Sequence, residues 1–209
     1  MKIAILGMGN VGSVLGRRWV EAGHEVVFGL RNPTKQQADA TKMKASVAAI
    51  NEAVAKSEVV VLAVPWPAVP DALRAAGNLT GKVLLDCTNP LKPDLSALDV
   101  GTTTSGGEQV AKAAPGAKVV KIFNTTGAGN MANPKYGGTK VTMLYAGDDA
   151  EAKKVASRLA SDLGFDPVDA GPLSSGRMLE PFALLWISLA YQQKMGMDFA
   201  LNVVRRPGK

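Results

Sequence analysis

No stretch of this chain restricts its fold more than Gly7-Met8-Gly9-Asn10-Val11-Gly12. The apolar run Lys2-Ile3-Ala4-Ile5-Leu6 precedes it, and Val14, Leu15, Arg18 and Trp19 follow at helical spacing. Gly23-His24-Glu25-Val26-Val27-Phe28 then supplies a second strand, so the glycines fall at the strand-to-helix turn of a βαβ unit. Each glycine has its own task there. Gly7 makes the turn, Gly9 leaves the backbone bare where a diphosphate approaches, and Gly12 lets the helix close on the strand. The free N–H groups at the start of that helix favour an anion. Context of this kind points to dinucleotide binding, which glycines alone do not.

The end of the second strand reads Gly29-Leu30-Arg31-Asn32-Pro33-Thr34-Lys35. An NAD site ordinarily places an acid there to hold the ribose 2′-hydroxyl, whereas an arginine accommodates the 2′-phosphate of NADP. No acid is present. Arg31 can lie bidentate on a phosphate and Lys35 can add a point charge, so the expected coenzyme is NADP(H).

Composition narrows the partners. The chain has 209 residues, 46% hydrophobic and 20% charged, with a formal charge of +6. Its cations are scattered and its aromatics few, which speaks against nucleic acid, and an anionic coenzyme suffices to explain the basic balance. One cysteine, Cys87, and one histidine, His24, allow neither an internal disulfide nor a metal site. Cys87 reads as a small core residue and His24 as a turn or surface residue. The first strand begins at once, which leaves no room for a signal peptide, and the uncharged tract between Pro181 and Lys194 is too short to span a bilayer. A cytoplasmic protein with no membrane contact is expected.

Strands and helices alternate along the whole chain, as in a Rossmann-type, doubly wound, mainly parallel α/β sheet. Val59 to Val64 reads as a central strand and Lys82 to Asp86 as another, followed by strands over Ala117 to Phe123, Val141 to Ala146 and near Pro167-Val168. The division expected is a Rossmann domain over 1–170 and a C-terminal helical segment over 171–209. One or two helices are expected between Arg177 and Val204, packed on the same domain and on a partner subunit. Ligands of such sheets bind beyond the carboxyl ends of the strands. Those ends carry Gly7-Met8-Gly9, Gly29-Leu30-Arg31, Ala63-Val64-Pro65-Trp66, Thr88-Asn89-Pro90 and Asn124-Thr125-Thr126. Trp66 is either a wall beside the nicotinamide or a loop aromatic packed under its neighbours.

Taken together, Gly7 to Gly12, Gly29-Leu30-Arg31 with Lys35, Val64-Pro65-Trp66, Phe123-Asn124-Thr125, Ala146-Gly147-Asp148-Asp149 and Asp169-Ala170-Gly171-Pro172-Leu173 with Arg177 and Glu180 resemble the NADPH-dependent F420 reductases. The cytoplasmic domain of the STEAP metalloreductases shares their fold. The resemblance implies that Gly7, Met8, Gly9, Asn10 and Val11 hold the diphosphate, with Gly12 behind them. It implies that Arg31, Asn32 and Lys35 hold the 2′-phosphate, and that Ala63, Val64, Pro65 and Trp66 line the nicotinamide ribose, with Asn89 at the adjoining strand end. Asn124, Thr125, Leu173 and Arg177 would border the electron acceptor. Members that use coenzyme F420 often carry serine where this chain has Leu30 and histidine where it has Asn124.

The expected activity is hydride transfer between NADPH and a small-molecule acceptor, a deazaflavin (coenzyme F420) or a flavin (FMN or FAD), by a homodimer. No general acid of the kind a carbonyl reductase needs stands at a strand end, and no catalytic residue is assigned. Two alternatives stay open: a non-catalytic NADPH-binding redox sensor, and a reductase of a small imine or carbonyl.

Overall fold

The computed structural model describes residues 1–206, so the last three residues of the expected C-terminal segment lie outside it. Alternation of side chains along the first strand shows how the architecture arises. In β1 (Lys2–Leu6), Ile3 and Ile5 enter one core while Ala4 and Leu6 enter the other. All four are fully buried, so this strand is covered on both faces.

The helix α1 (Asn10–Glu21) follows, then β2 (Glu25–Leu30), α2 (Gln37–Lys42), β3 (Ser46–Ala49), α3 (Ile50–Ala55) and β4 (Val59–Leu62). The second half holds α4 (Val69–Ala76), β5 (Val83–Asp86), α5 (Gly106–Ala113), β6 (Lys118–Lys121) and α6 (Ala128–Ala132). A two-stranded ribbon of β7 (Lys135–Tyr136) and β8 (Thr139–Lys140) leads into β9 (Thr142–Gly147), α7 (Ala150–Leu163), β10 (Asp166–Asp169) and α8 (Gly176–Ile187). The eight-stranded sheet has the order β10-β9-β6-β5-β4-β1-β2-β3. Every neighbouring pair is parallel except β6 with β9. The expected Rossmann-type, doubly wound, mainly parallel sheet is therefore present. Its strand order reverses between β1 and β4, which opens a crevice beyond their carboxyl ends.

Two expectations are corrected. Helix was expected as far as Val204, but α8 ends at Ile187, one wide turn continues to Gln192, and the chain then runs without regular structure. Lys194 and Gly196 both have positive φ, which ends any helix there. The tail is tied down by other means: Phe199 stacks on Trp186 at 5.1 Å, and Asn202 exchanges hydrogen bonds with Thr142 N and Lys140 O. The second correction is His24, which is buried rather than on the surface. Its Nε2 lies 3.0 Å from Asp162 and its Nδ1 3.3 Å from the N-terminal amine, and neither partner is close in sequence.

Cys87 is buried as expected, and burial followed by the neighbouring Asp86 carboxylate pushes its thiol well above the ordinary range. It is a packed core residue, not a nucleophile.

Candidate functional site

The crevice between β1 and β4 is built by backbone. Gly7 has φ +103, and a Cβ there would stand 2.5 Å from Ala63 O in the loop after β4. A Cβ on Gly12 would collide with Gly7 O, so α1 can approach the turn only without one. Gly9 differs, since a Cβ on it would meet nothing within 4 Å. It is the N-cap of α1, no side chain caps that end, and the first turn carries no acid. The turn thus presents open space and unpartnered donors to an anion.

A cleft of about 560 Å³ opens beside this turn. Of the expected coenzyme residues, Gly7, Met8, Gly9, Arg31, Asn32, Lys35, Ala63, Val64 and Pro65 line it. Asn10, Val11, Gly12, Trp66 and Asn89 do not. Gly12 is buried behind the turn, Val11 packs on the core and Asn10 is exposed at the start of α1. Alternation at the end of β2 turns Leu30 into the core and leaves Arg31 exposed. Leu6, Gly29 and Leu30 line it from the strands, and Gln36, Ile50, Ala68, Asp71 and Ala72, which the motifs did not single out, complete the wall. Ile50 and Ala72 belong to the second core and so give the cleft an apolar floor. Amphipathic spacing on α3 and α4 contained that signal, but only the fold shows which end of each helix meets the cleft. Asp71 is the one acid in the lining, and it pairs with Arg74 at 2.6 Å.

Beyond β5 and β6 the character changes. Asn89 Nδ2 donates to Asn124 O at 2.9 Å, and Asn124 Nδ2 donates to Asn89 Oδ1 at 3.1 Å and to Leu179 O at 3.3 Å. Asn124 is 4% exposed and its Oδ1 has no hydrogen-bond partner. Phe123 sets the chain up for this. It has φ +59, unusual for a bulky residue and costing on the order of 1–3 kcal/mol. Its ring is held edge-on by Trp19 and Phe165, at 5.6 and 6.2 Å. Thr125 is buried beside Asn124.

The other two expected acceptor residues are engaged elsewhere. Leu173 belongs to the second core, and its N–H donates to Asp148 Oδ1. Arg177 is exposed and lies bidentate on Glu108, with Nε 2.9 Å from Oε2 and a second contact of 2.6 Å. The guanidinium holds the Glu108 carboxyl below the usual carboxylate range. Trp66 is half-buried against the second core, and its ring edge would lie 3.1 Å from a Cβ on Gly106, so it packs on the start of α5.

The least expected feature is a buried ion cluster. Lys121 Nζ lies 2.7 Å from Asp86 Oδ2, 2.8 Å from Glu180 Oε1 and 2.8 Å from Thr88 O. Asp86 also accepts from Thr88 N and Oγ1, and Glu180 accepts from Gly106 N and Gly107 N at the start of α5. Burial alone would lower the Lys121 ammonium, but the two carboxylates hold it above its ordinary value. Its hydrogen bond goes to Thr88 O, and its charge is met by the two carboxylates. Asp86 and Lys121, charges that close the short strands β5 and β6, are visible in the sequence, but not that they meet Glu180. Among the described residues, no group of His, Cys, Asp and Glu is placed to hold a metal, and no helix is long and apolar enough to cross a membrane.

A family model described as NADP oxidoreductase, coenzyme F420-dependent, matches residues 2–90. A crystal structure of a putative F420-dependent NADP-reductase from Arthrobacter sp. FB24 superposes with a TM-score of 0.89 at 34% identity, covering 98% of this chain and 100% of the other. Rat metalloreductase STEAP3 is 36% identical over 184 residues, 88% of this chain and 36% of that protein, so the chain spans about a third of its length. A reductive aminase from Aspergillus terreus, solved with NADPH and ethyl levulinate, shares the fold at a TM-score of 0.69 and 22% identity over 92% of this chain and 62% of its own.

Proposed function

Because this chain belongs to the family of NADP oxidoreductases described as coenzyme F420-dependent, we propose that it exchanges a hydride between NADP(H) and a deazaflavin or flavin acceptor, coenzyme F420, FMN or FAD. One observation carries the coenzyme half of the reading: Arg31 and Lys35 stand exposed on one cleft at the end of β2, with no carboxylate on that strand end. The glycine turn fits a diphosphate, since Gly9 leaves open space and a Cβ on Gly7 or Gly12 would close the approach.

In this reading Gly7 to Val11 and the start of α1 hold the diphosphate, while Arg31, Asn32 and Lys35 hold the 2′-phosphate. Ile50, Ala68 and Ala72 give the adenine an apolar bed. The bound coenzyme supplies the hydride chemistry, and the protein orients it and excludes water. Side chains at the β5 and β6 ends are amides and a hydroxyl, Asn89, Asn124 and Thr125. Lys121 and Arg177, the nearest cations, are already committed to carboxylates. A site without a free acid suits an acceptor ring that delocalises charge, where proximity and orientation supply much of the rate. Asn124 and Thr125 are the residues proposed to border that ring. Met178, Leu185 and Tyr191, exposed apolar residues of the C-terminal segment, support a homodimer. The cytoplasmic setting expected from the sequence is retained.

Arg31→Ala is expected to weaken NADPH by about 10-fold or more while leaving NADH nearly unchanged. Titration of both coenzymes by fluorescence measures this, and equal losses would overturn the NADP assignment. Oxidation of NADPH followed separately with coenzyme F420, FMN and FAD identifies the acceptor. Tight NADPH binding without turnover on any of them would leave the sensor reading in its place.

A further inference from the structure

The coenzyme cleft and the asparagine pair leave unused three charged side chains that lie beneath them. Lys121 and Asp86 are 0% exposed and Glu180 is 1% exposed. Two carboxylates and one ammonium leave a formal surplus of one negative charge. Donors from Thr88, Gly106 and Gly107 soften that surplus without cancelling it. The nearby Glu108–Arg177 pair is neutral in sum. A buried ion cluster is an inefficient source of stability, because apolar residues of equal volume serve as well. Its charge therefore calls for a use.

Its location suggests one. A Cβ on Gly106 would lie 3.1 Å from Glu180 Oε1, 3.1 Å from Trp66 Cζ3 and 3.3 Å from Pro90 Cδ. Glu180, Trp66 and Pro90 thus crowd together at the start of α5, while Asp86 and Lys121 stand at the carboxyl ends of β5 and β6. With Arg31 marking the 2′-phosphate end beyond β2, a coenzyme laid across the strand ends brings its nicotinamide to the β4 and β5 side.

We propose that the Asp86–Lys121–Glu180 cluster biases this site toward the oxidised coenzyme, by placing buried negative charge beneath the carboxyl ends of β5 and β6, on the nicotinamide side of the crevice. The proposal rests on the coenzyme reading above. When the dihydronicotinamide gives up a hydride, one proton with two electrons, to the acceptor, the ring left behind is a pyridinium cation. Negative charge held in a medium less polarisable than water attracts that cation and leaves the neutral dihydro ring unaffected. The cluster thereby favours loss of the hydride from NADPH.

Calorimetric dissociation constants for NADP⁺ and NADPH test this on the wild type and on Glu180→Gln, Asp86→Asn and Glu151→Gln. Glu151 is an exposed carboxylate on α7, so its variant controls for net charge. The ratio of the NADP⁺ constant to the NADPH constant should rise about fivefold in Glu180→Gln, rise in Asp86→Asn and stay fixed in Glu151→Gln. Damage to packing weakens both forms alike and leaves the ratio unmoved. An unchanged ratio in whichever cluster variant folds overturns the proposal. So does a wild type that binds NADPH more than about 10-fold tighter than NADP⁺, a result that needs no variant. A wild type that binds neither form removes the coenzyme reading itself.

Discussion

The two ends of the crevice are built on opposite plans. Around β1 and β2 the site is backbone, open space and exposed cations: Gly9, Arg31 and Lys35 stand exposed beside the tight turn at Gly7. Around β5 and β6 it is largely buried and cross-linked, with Asn89 on Asn124 and Lys121 between Asp86 and Glu180. An open region can be redesigned for one ligand without disturbing the fold. A cross-linked region cannot, because its polar groups are also its structure.

That contrast predicts where substitutions strike. Lys121→Met is expected to have the largest effect on folding, about 3–5 kcal/mol, because it strands two carboxylates away from water. Chemical denaturation would measure it, and a loss below about 1 kcal/mol would mean that the cluster does not bind β5, β6 and α8 together. Gly12→Ala comes next. It forces a Cβ against Gly7 O, with an expected cost of about 1–3 kcal/mol and loss of coenzyme binding, since α1 must withdraw from the turn. Unchanged NADPH affinity would show that the turn is not the diphosphate site.

The smallest effect belongs to the surface pair Glu108–Arg177. Hydrogen bonding to Arg177 lowers the Glu108 carboxyl, so the pair's contribution is full above the ordinary carboxylate range and fades as pH falls through the lowered value. Glu108→Gln should flatten the acid limb of the stability curve slightly and leave stability near neutrality within about 0.5 kcal/mol. A larger loss at neutral pH would place this pair with the cross-linked region.

The same contrast explains what the sequence could and could not disclose. The glycine turn, Arg31 and Lys35 lie within 29 residues of one another, and local rules of turn and strand suffice to read them. The strand pattern likewise gave the sheet, because β-branched runs such as Val59-Val60-Val61 have few other uses. The buried cluster joins residues 86, 121 and 180, and no local pattern announces that three distant charges will meet. His24 with Asp162 was hidden in the same way, across 138 positions. The tail was misread for a different reason: composition from Arg177 onward favours helix, yet Lys194 and Gly196 turn the backbone to positive φ. Trp66 was undecidable until Gly106 showed what its ring rests on.

Phe123 carries a consequence for how such a site can change over generations. Its left-handed backbone is held by a ring wedged between Trp19 and Phe165, so glycine would relax the backbone and empty the core in one step. The main chain at residue 124 is therefore a fixed mount. An exchange of its side chain, amide for imidazole or hydroxyl, would rework the bonds to Asn89 and Leu179 while the backbone beneath keeps its course.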